Sequence, residues 1–405
     1  MSEAILMRLR HALGDPSVER DRDGRPRAIP ESAEAVAQVC RMAHEQGWRV
    51  RIEGQSSWMP SDAPADLSLS TRGMARIVDV SPADLVATVE AGVSIGRLQQ
   101  ELHARGAWLA IDPPGRPERS IGSIVATGTA GPLRFGFGPV RDHILGGTIV
   151  TGDGRVIKAG GHVVKNVAGY DLTKLQVGGF GAFGVVTQVH LRLRALPAAR
   201  VTLVARGQRD VLTHAARALV EQRLAASALE LFSPALAGGP EWVLAVDLAG
   251  TEAGVADEIS RAAVEASVRW SRLDAEAAQV FWNATARAAL GGEITFRLGV
   301  FPDGLDEIID LLAEHLDAGQ VSAGPGGGLL RWSGAAPVEK LRLVRRLASE
   351  REIPLTLERA PWAVRHAFGH YGAYREGVGA LVAKLRSTFD PDPTFAVALE
   401  GAEHE

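Results

Sequence analysis

Glycines supply the first spacing from which chemistry can be built. Gly179-Phe-Gly181-Ala-Phe-Gly184 spells the G-x-G-x-x-G of a dinucleotide-binding turn. That turn needs a strand before it and a helix after it, so that a pyrophosphate meets a helix N-terminus. Here a helical stretch precedes it and the alternating run Val185–Leu193 follows, so a Rossmann site is not expected. The glycines still require backbone to approach something closely. Residues 112–139, DPPGRPERSIGSIVATGTAGPLRFGFGP, have too little periodicity for a spacer and read as a binding loop. A third loop is Arg51-Ile-Glu-Gly-Gln-Ser-Ser-Trp58. Together the three offer free amide N–H groups that converge on one anion, whose charge is then met by backbone dipoles.

Two arginines and two histidines are the other groups of interest. In Glu293-Ile-Thr-Phe-Arg-Leu-Gly-Val300, alternation puts Ile294, Phe296, Leu298 and Val300 on one face of a strand, and Thr295 and Arg297 on the other. Arg331, beside Trp332, lies on a strand of the same half. A guanidinium on the polar face can clamp a substrate carboxylate bidentately. The competing reading is a surface arginine, or one paired with Glu230 or Glu358. His366 and His370 stand at i, i+4 but lack a third ligand, so no metal site is expected. His366, His370 and Tyr371 are candidates for a base by residue type only, and no catalytic residue is assigned.

The elements that must position these groups follow from periodicity. A helix after Pro30 carries Val36, Val39, Cys40 and Ala43 on one stripe and ends at Gly47; Trp48–Ile52 is the next strand. Strands at Leu67–Ser70, Arg76–Val80 and Leu85–Glu90 precede a helix over Ser94–Arg105. Gly146–Ile157 is a hairpin around Thr151-Gly-Asp-Gly, and a short helix lies near Asp171–Val177. Beyond Pro197 the rhythm changes. Strand Val201–Ala205, helix Val211–Arg223, strands Ala228–Phe232 and Trp242–Leu248, helix Gly254–Ala266 and strand Val268–Trp270 form a β-α-β-β-α-β unit. After a linking helix, Glu276–Ala289, the order recurs from Ile294–Val300 to Pro354–Leu357. The expected architecture is α+β: a two-part domain over residues 1–197, a cap over 198–360 with one broad antiparallel sheet and helices on one face, and a segment, 361–405, returning to the first domain.

Composition sets the outer limits. The 405 residues carry a net charge of −4, which marks no nucleic-acid or acidic-membrane binder. The single cysteine, Cys40, cannot make an internal disulfide, a Cys-ligated zinc site or an iron–sulfur cluster, and reads as a buried thiol. The start, MSEAILMRLRHALG, is too short and charged for a signal peptide, and no apolar run approaches a membrane span. The expected location is cytoplasmic, or peripheral at the inner membrane through a complex.

The run GGHVVKNVAGYDLTKLQVGGFGAFGVVTQVHLRLR, residues 160–194, resembles the diagnostic stretch of the vanillyl-alcohol-oxidase-like, PCMH-type FAD flavoproteins. Within that family it is most similar to the FAD-binding E subunits of bacterial glycolate oxidases. The resemblance covers roughly residues 27–197, and Phe389-Asp-Pro-Asp392 resembles the family's C-terminal segment. It implies FAD, bound without a covalent link, since residues 51–58 hold no His or Cys. It assigns the pyrophosphate loop to Gly54, Gln55, Ser56 and Ser57; Ile52 and Glu53 stand where the family has glycines, and a carboxylate there is unfavourable beside a pyrophosphate unless it points away. It places Pro113, Gly115, Gly122, Ser123, Ala126, Thr127 and Gly128 along the flavin and phosphates, Gly181 and Gly184 against the cofactor, and Val185 and Val186 near the adenine and ribose. It further implies oxidation of a small 2-hydroxy acid, and two partner chains: a D-like FAD subunit and an F-like iron–sulfur subunit.

Overall fold

Two modest sheets build a cleft and one wide sheet covers it. The computed structural model describes residues 2–161, 172–265, 267–372, 374 and 376–399. The motif Lys165-Asn-Val-Ala-Gly-Tyr-Asp171 lies outside the described residues. In the first sheet the strands run in the order Val18–Arg20, Pro26–Ala28, Leu67–Ser70, Val50–Glu53. The last three run parallel to one another, and the chain crosses from Pro26–Ala28 to Val50–Glu53 over a helix, as parallel strands require. That helix, Ala33–Gln46, starts where Ser32 Oγ accepts the Ala35 amide, and stops at Gly47 in the left-handed conformation, φ +66°. It buries Val36, Val39, Cys40 and Ala43; burial pushes the Cys40 thiol up, away from any nucleophilic role.

The second sheet is antiparallel, ordered Ile77–Ser81, Val86–Glu90, Val185–Arg192, Ile144–Val150, Val156–Gly160. One core joins the two sheets, with Val150 and Val185 packed against Val50, Leu67 and Leu69. The tail closes this unit. Val50 N donates to Thr394 O and Val50 O accepts from Ala396 N, so residues 394–396 add a further rung beside Val50–Glu53.

The third sheet has eight strands, ordered Ser271–Leu273, Ala199–Gly207, Trp242–Gly250, Ala228–Phe232, Gln320–Gly324, Leu329–Gly334, Ile294–Gly299, Leu355–Arg359. Each half is one β-α-β-β-α-β unit, and the halves meet edge to edge where Leu231 pairs with Ala323 and Phe232 with Ser322. Four helices, Arg209–Glu221, Glu252–Ala263, Leu305–His315 and Val338–Glu350, bury Ile294, Phe296, Leu298 and Val300 with the other apolar residues of that face.

Three expectations need correction. The linking helix, Ala275–Ala288, lies on the opposite face, where Phe281 and Trp282 pack on Phe232 and Val243 and Trp282 Nε1 donates to Thr202 Oγ1. The strand expected at Val268–Trp270 forms at Ser271–Leu273 instead, because the Trp270 indole turns in to bond Ala262 O. The loop 112–139 contains two helices, Ile121–Thr127 and Arg134–Phe137.

Candidate functional site

Strand Val50–Glu53 ends at Gly54, where the chain passes over the start of helix Ile121–Thr127. A Cβ at Gly54 would run into Ser120 Oγ, so the close approach demands glycine. The chain then turns through Gln55–Trp58, with Ser56 at φ +52°. The four amides of Gln55, Ser56, Ser57 and Trp58 donate to no acceptor among the described residues. Consecutive unpaired amides beside a left-handed residue make a concave anion nest.

The second loop behaves differently from the expectation. At the start of helix Ile121–Thr127, Ile121 N donates to Val93 O and Gly122 N to Ala91 O, both at 2.8 Å, and Ser123 N to Ser120 Oγ. The first two of these amides are occupied by the bend at 91–93 and the third by Ser120, so this helix start adds no free donor to the run at 55–58. What the helix contributes is space: Ser123 and Ala126, three residues apart, are half-buried and line the cleft with small side chains.

Gly54, Gln55, Ser56, Ser57, Gly122, Ser123, Ala126, Thr127, Gly181, Gly184 and Val186 line one cleft of about 1030 Å³, its open mouth included. Pro113 and Gly115 line a second cavity of about 1460 Å³, between residues 111–117, helix Ala275–Ala288 and the cap sheet. Gly128 ends helix Ile121–Thr127 at φ +60° against Gly178, and Val185 is buried in the core beneath. The first cleft is also lined by Phe180, His370, Ala396 and Val397. Phe180 sits inside the G-x-G-x-x-G run and His370 is a candidate by residue type, but no spacing in the sequence marks Ala396 and Val397, because the tail reaches the cleft only through the tertiary fold.

Charge is arranged to leave the nest free. Glu53 turns away: Arg51 Nε donates to Oε1 at 2.7 Å, Arg27 Nη2 lies 3.1 Å from Oε2, and Ser56 Oγ donates to Oε2. Arg51 also reaches Asp21 at 2.8 Å. Arg365 donates to Ala360 O, Pro60 O and Asp62. Open amides, a neutralised carboxylate, and apolar walls from Ile52, Phe180, Val186 and Val397 fit a dinucleotide with a diphosphate and flat rings.

The polar face of the cap sheet carries a buried charge cluster. Glu358, on strand Leu355–Arg359, is fully enclosed. It accepts Arg297 Nη1 at 2.8 Å and Arg331 Nε at 2.7 Å and Nη2 at 3.2 Å. Burial alone would raise its pKa, but the two arginines hold it down to about 2. Arg331 also donates to Ala130 O at 2.8 Å, tying cap to cleft domain. Arg297 has no other partner among the described residues. Arg119 is fully buried between the two cavities, 4.2 Å over the Trp58 ring, and donates to Pro114 O and Thr127 Oγ1. Burial pulls it down to about 9.

Two acids stand on the other side of this balance. Burial raises Asp112, in the wall of the second cavity, to about 7, and Glu230, bonded to Ser322 Oγ, to about 8. A folded-state pKa above the ordinary 4.5 means that the native protein keeps a proton which the unfolded chain releases. Stability from Glu230 is therefore complete in acid and is lost as pH rises through about 8. Glu230→Gln should flatten that fall, so that urea midpoints of parent and variant converge or cross as pH rises from 5 to 9. Parallel profiles would show that Glu230 holds no proton.

A nest of amides thus lies under a two-unit antiparallel sheet. Residues 26–160 match the FAD binding domain family, so this chain carries a PCMH-type FAD-binding domain and its cofactor is FAD. It is 39% identical over 137 residues to glycolate oxidase subunit GlcE of Escherichia coli, covering 34% of this chain and 39% of that protein. It is 31% identical over 183 residues to the mitochondrial D-lactate dehydrogenase [cytochrome] of Arabidopsis thaliana, covering 44% of this chain and 31% of that protein. The matches thus span well under two thirds of these relatives. Among solved structures, an alkyldihydroxyacetonephosphate synthase superposes with a TM-score of 0.75 at 12% identity, over 98% of this chain and 85% of that one, which shows the shared fold.

Proposed function

We propose that this chain is the FAD-binding subunit of a glycolate oxidase or dehydrogenase complex, oxidising a small 2-hydroxy acid, glycolate or D-lactate, to the 2-oxo acid. The observation that carries the proposal is the open amide nest of residues 55–58 beneath a cap whose polar face presents Arg297 and Arg331. Similarity to a glycolate oxidase subunit and a D-lactate dehydrogenase supports the substrate class. FAD, when bound, accepts the hydride from the carbinol carbon. The chain's own part is to hold the diphosphate on residues 54–57 and to seat the rings between Val186, Phe180 and the tail. Arg297, with Nη2 and Nε not committed, is the contact for the substrate carboxylate. The one cysteine leaves this chain without iron–sulfur ligands, so the next carrier belongs to an F-like iron–sulfur subunit beside a D-like FAD subunit. No helix among the described residues is long and apolar enough to cross a membrane.

A second reading, a flavin carrier whose partner recognises the substrate, is favoured by one observation: Arg331 uses its donors on Glu358 and Ala130. Co-expression with D-like and F-like chains separates the two. The purified protein should be yellow and release intact FAD on acid or heat precipitation. The assembled complex should reduce an artificial acceptor with glycolate or D-lactate, and Arg297→Lys should weaken that turnover while leaving flavin content normal. Flavin retained in the precipitate would refute non-covalent binding. Unchanged turnover in the lysine variant would leave substrate recognition to the partner.

A further inference from the structure

His370 is 2% exposed and lines the FAD cleft. Three contacts fix its ring. Nδ1 lies 2.6 Å from Leu357 O, the ring stacks on Phe180 with centroids 3.7 Å apart and planes 12° apart, and its backbone is paired on both sides. Leu357 N donates to His370 O, and His370 N donates to Ala398 O. A carbonyl only accepts, so Nδ1 carries the hydrogen and Nε2 keeps its lone pair. Burial lowers the ring's pKa to about 3, so the imidazole stays neutral and the tautomer does not change. Nε2 has no partner among the described residues. One ring edge is taken by Leu357 and one face by Phe180, and the edge bearing Nε2 is the one left to the cleft.

We propose that His370 Nε2 is a fixed hydrogen-bond acceptor for an N–H of the bound cofactor. The inference rests on the cleft holding FAD. FAD offers two such donors, the adenine 6-amino group and the isoalloxazine N3–H. The acceptor is rigid and uncharged, which suits a neutral aromatic N–H. Its placement on the tail-linked segment couples cofactor binding to closure of the cleft by residues 396–399.

The test uses full-length apoprotein with ADP and FMN as separate probes, read by calorimetry or flavin fluorescence. His370→Asn keeps a donor for Leu357 O and removes the acceptor; His370→Gln sets an amide oxygen near the Nε2 position. One neutral hydrogen bond corresponds to about a three- to tenfold change in affinity. The expected result is that the Asn variant binds one probe about three- to tenfold more weakly, and that the Gln variant recovers most of the loss. Loss for ADP assigns the adenine amine; loss for FMN assigns N3–H. Unchanged affinity for both probes in a folded Asn variant overturns the proposal, as does equal weakening by Asn and Gln, which would reduce His370 to a packing role. Parent apoprotein that takes up no FAD at all overturns the reading of the cleft itself.

Discussion

Glu358→Gln should lower the unfolding free energy by about 3–5 kcal/mol, the cost of leaving a buried partner charge without its counter-ion. Arg331 is 4% exposed and cannot turn to bulk water without moving the sheet, whereas Arg297 is only half-buried, so most of the loss falls on Arg331. Glutamine keeps the shape and one acceptor oxygen but sets an NH2 donor against an arginine donor in place of the other oxygen. Urea unfolding at pH 7 measures the loss; a midpoint equal to the parent's would mean that the cluster is not coupled to folding. Replacing Glu358 and Arg331 together by leucine should recover part of the stability, since a buried pair is often no better than an apolar one. The pair also has an acid limit. A carboxyl held at about 2 against an ordinary 4.5 contributes stability above its unfolded value and loses it as pH falls from about 4.5 toward 2.

Ala126→Trp should abolish FAD uptake while the protein remains folded. Ala126 sits on a regular helix and faces the cleft, so a larger side chain meets no backbone conflict there. An indole buries on the order of 200 Å² and would fill the space between Ser123 and Phe180. Gly181→Val is a poorer probe: Gly181 has φ +86°, and valine would strain the backbone whether or not a cofactor binds. Flavin absorbance after reconstitution, beside the melting temperature, settles the matter. A tryptophan variant that binds FAD at the parent's stoichiometry would place the cofactor elsewhere.

Much of the scaffold was legible because its signals are local. Ser32 and Gly47 bracket one helix, and Leu67–Ser70 and Ala228–Phe232 form with the bounds read from periodicity. The alternation of Ile294–Val300 correctly separated a helix-covered face from a polar one. The helix Ile121–Thr127 escaped because Gly122 within it, Gly128 after it and the surrounding prolines outweighed Ser120, whose hydroxyl caps it. The partners of charged groups were less accessible, although Glu358 stood among the alternatives for Arg297 and Arg331 and is the partner of both. Glu53 had to turn away from an anion, but nothing local names Arg27 as its counter-ion. Arg297 and Arg331 converge on Glu358 only through the register of three strands, in which Arg297 faces Arg331 on one side and Thr356 on the other. Pairing across a sheet depends on register, and register is a property of the whole sheet.

The rung that residues 394–396 add beside Val50 sets an order of events during synthesis. Val50 leaves the ribosome more than three hundred residues before Phe395 does. At roughly 5–20 residues per second, that delay is on the order of 20–70 s. Throughout it, the nascent first sheet presents an uncovered edge, and Ala396 and Val397 are missing from the cleft wall. Cofactor capture in the complete cleft therefore waits until Ala396 and Val397 have emerged. The early domain must stay soluble meanwhile, with its edge guarded by folding helpers or by the cap that emerges behind it.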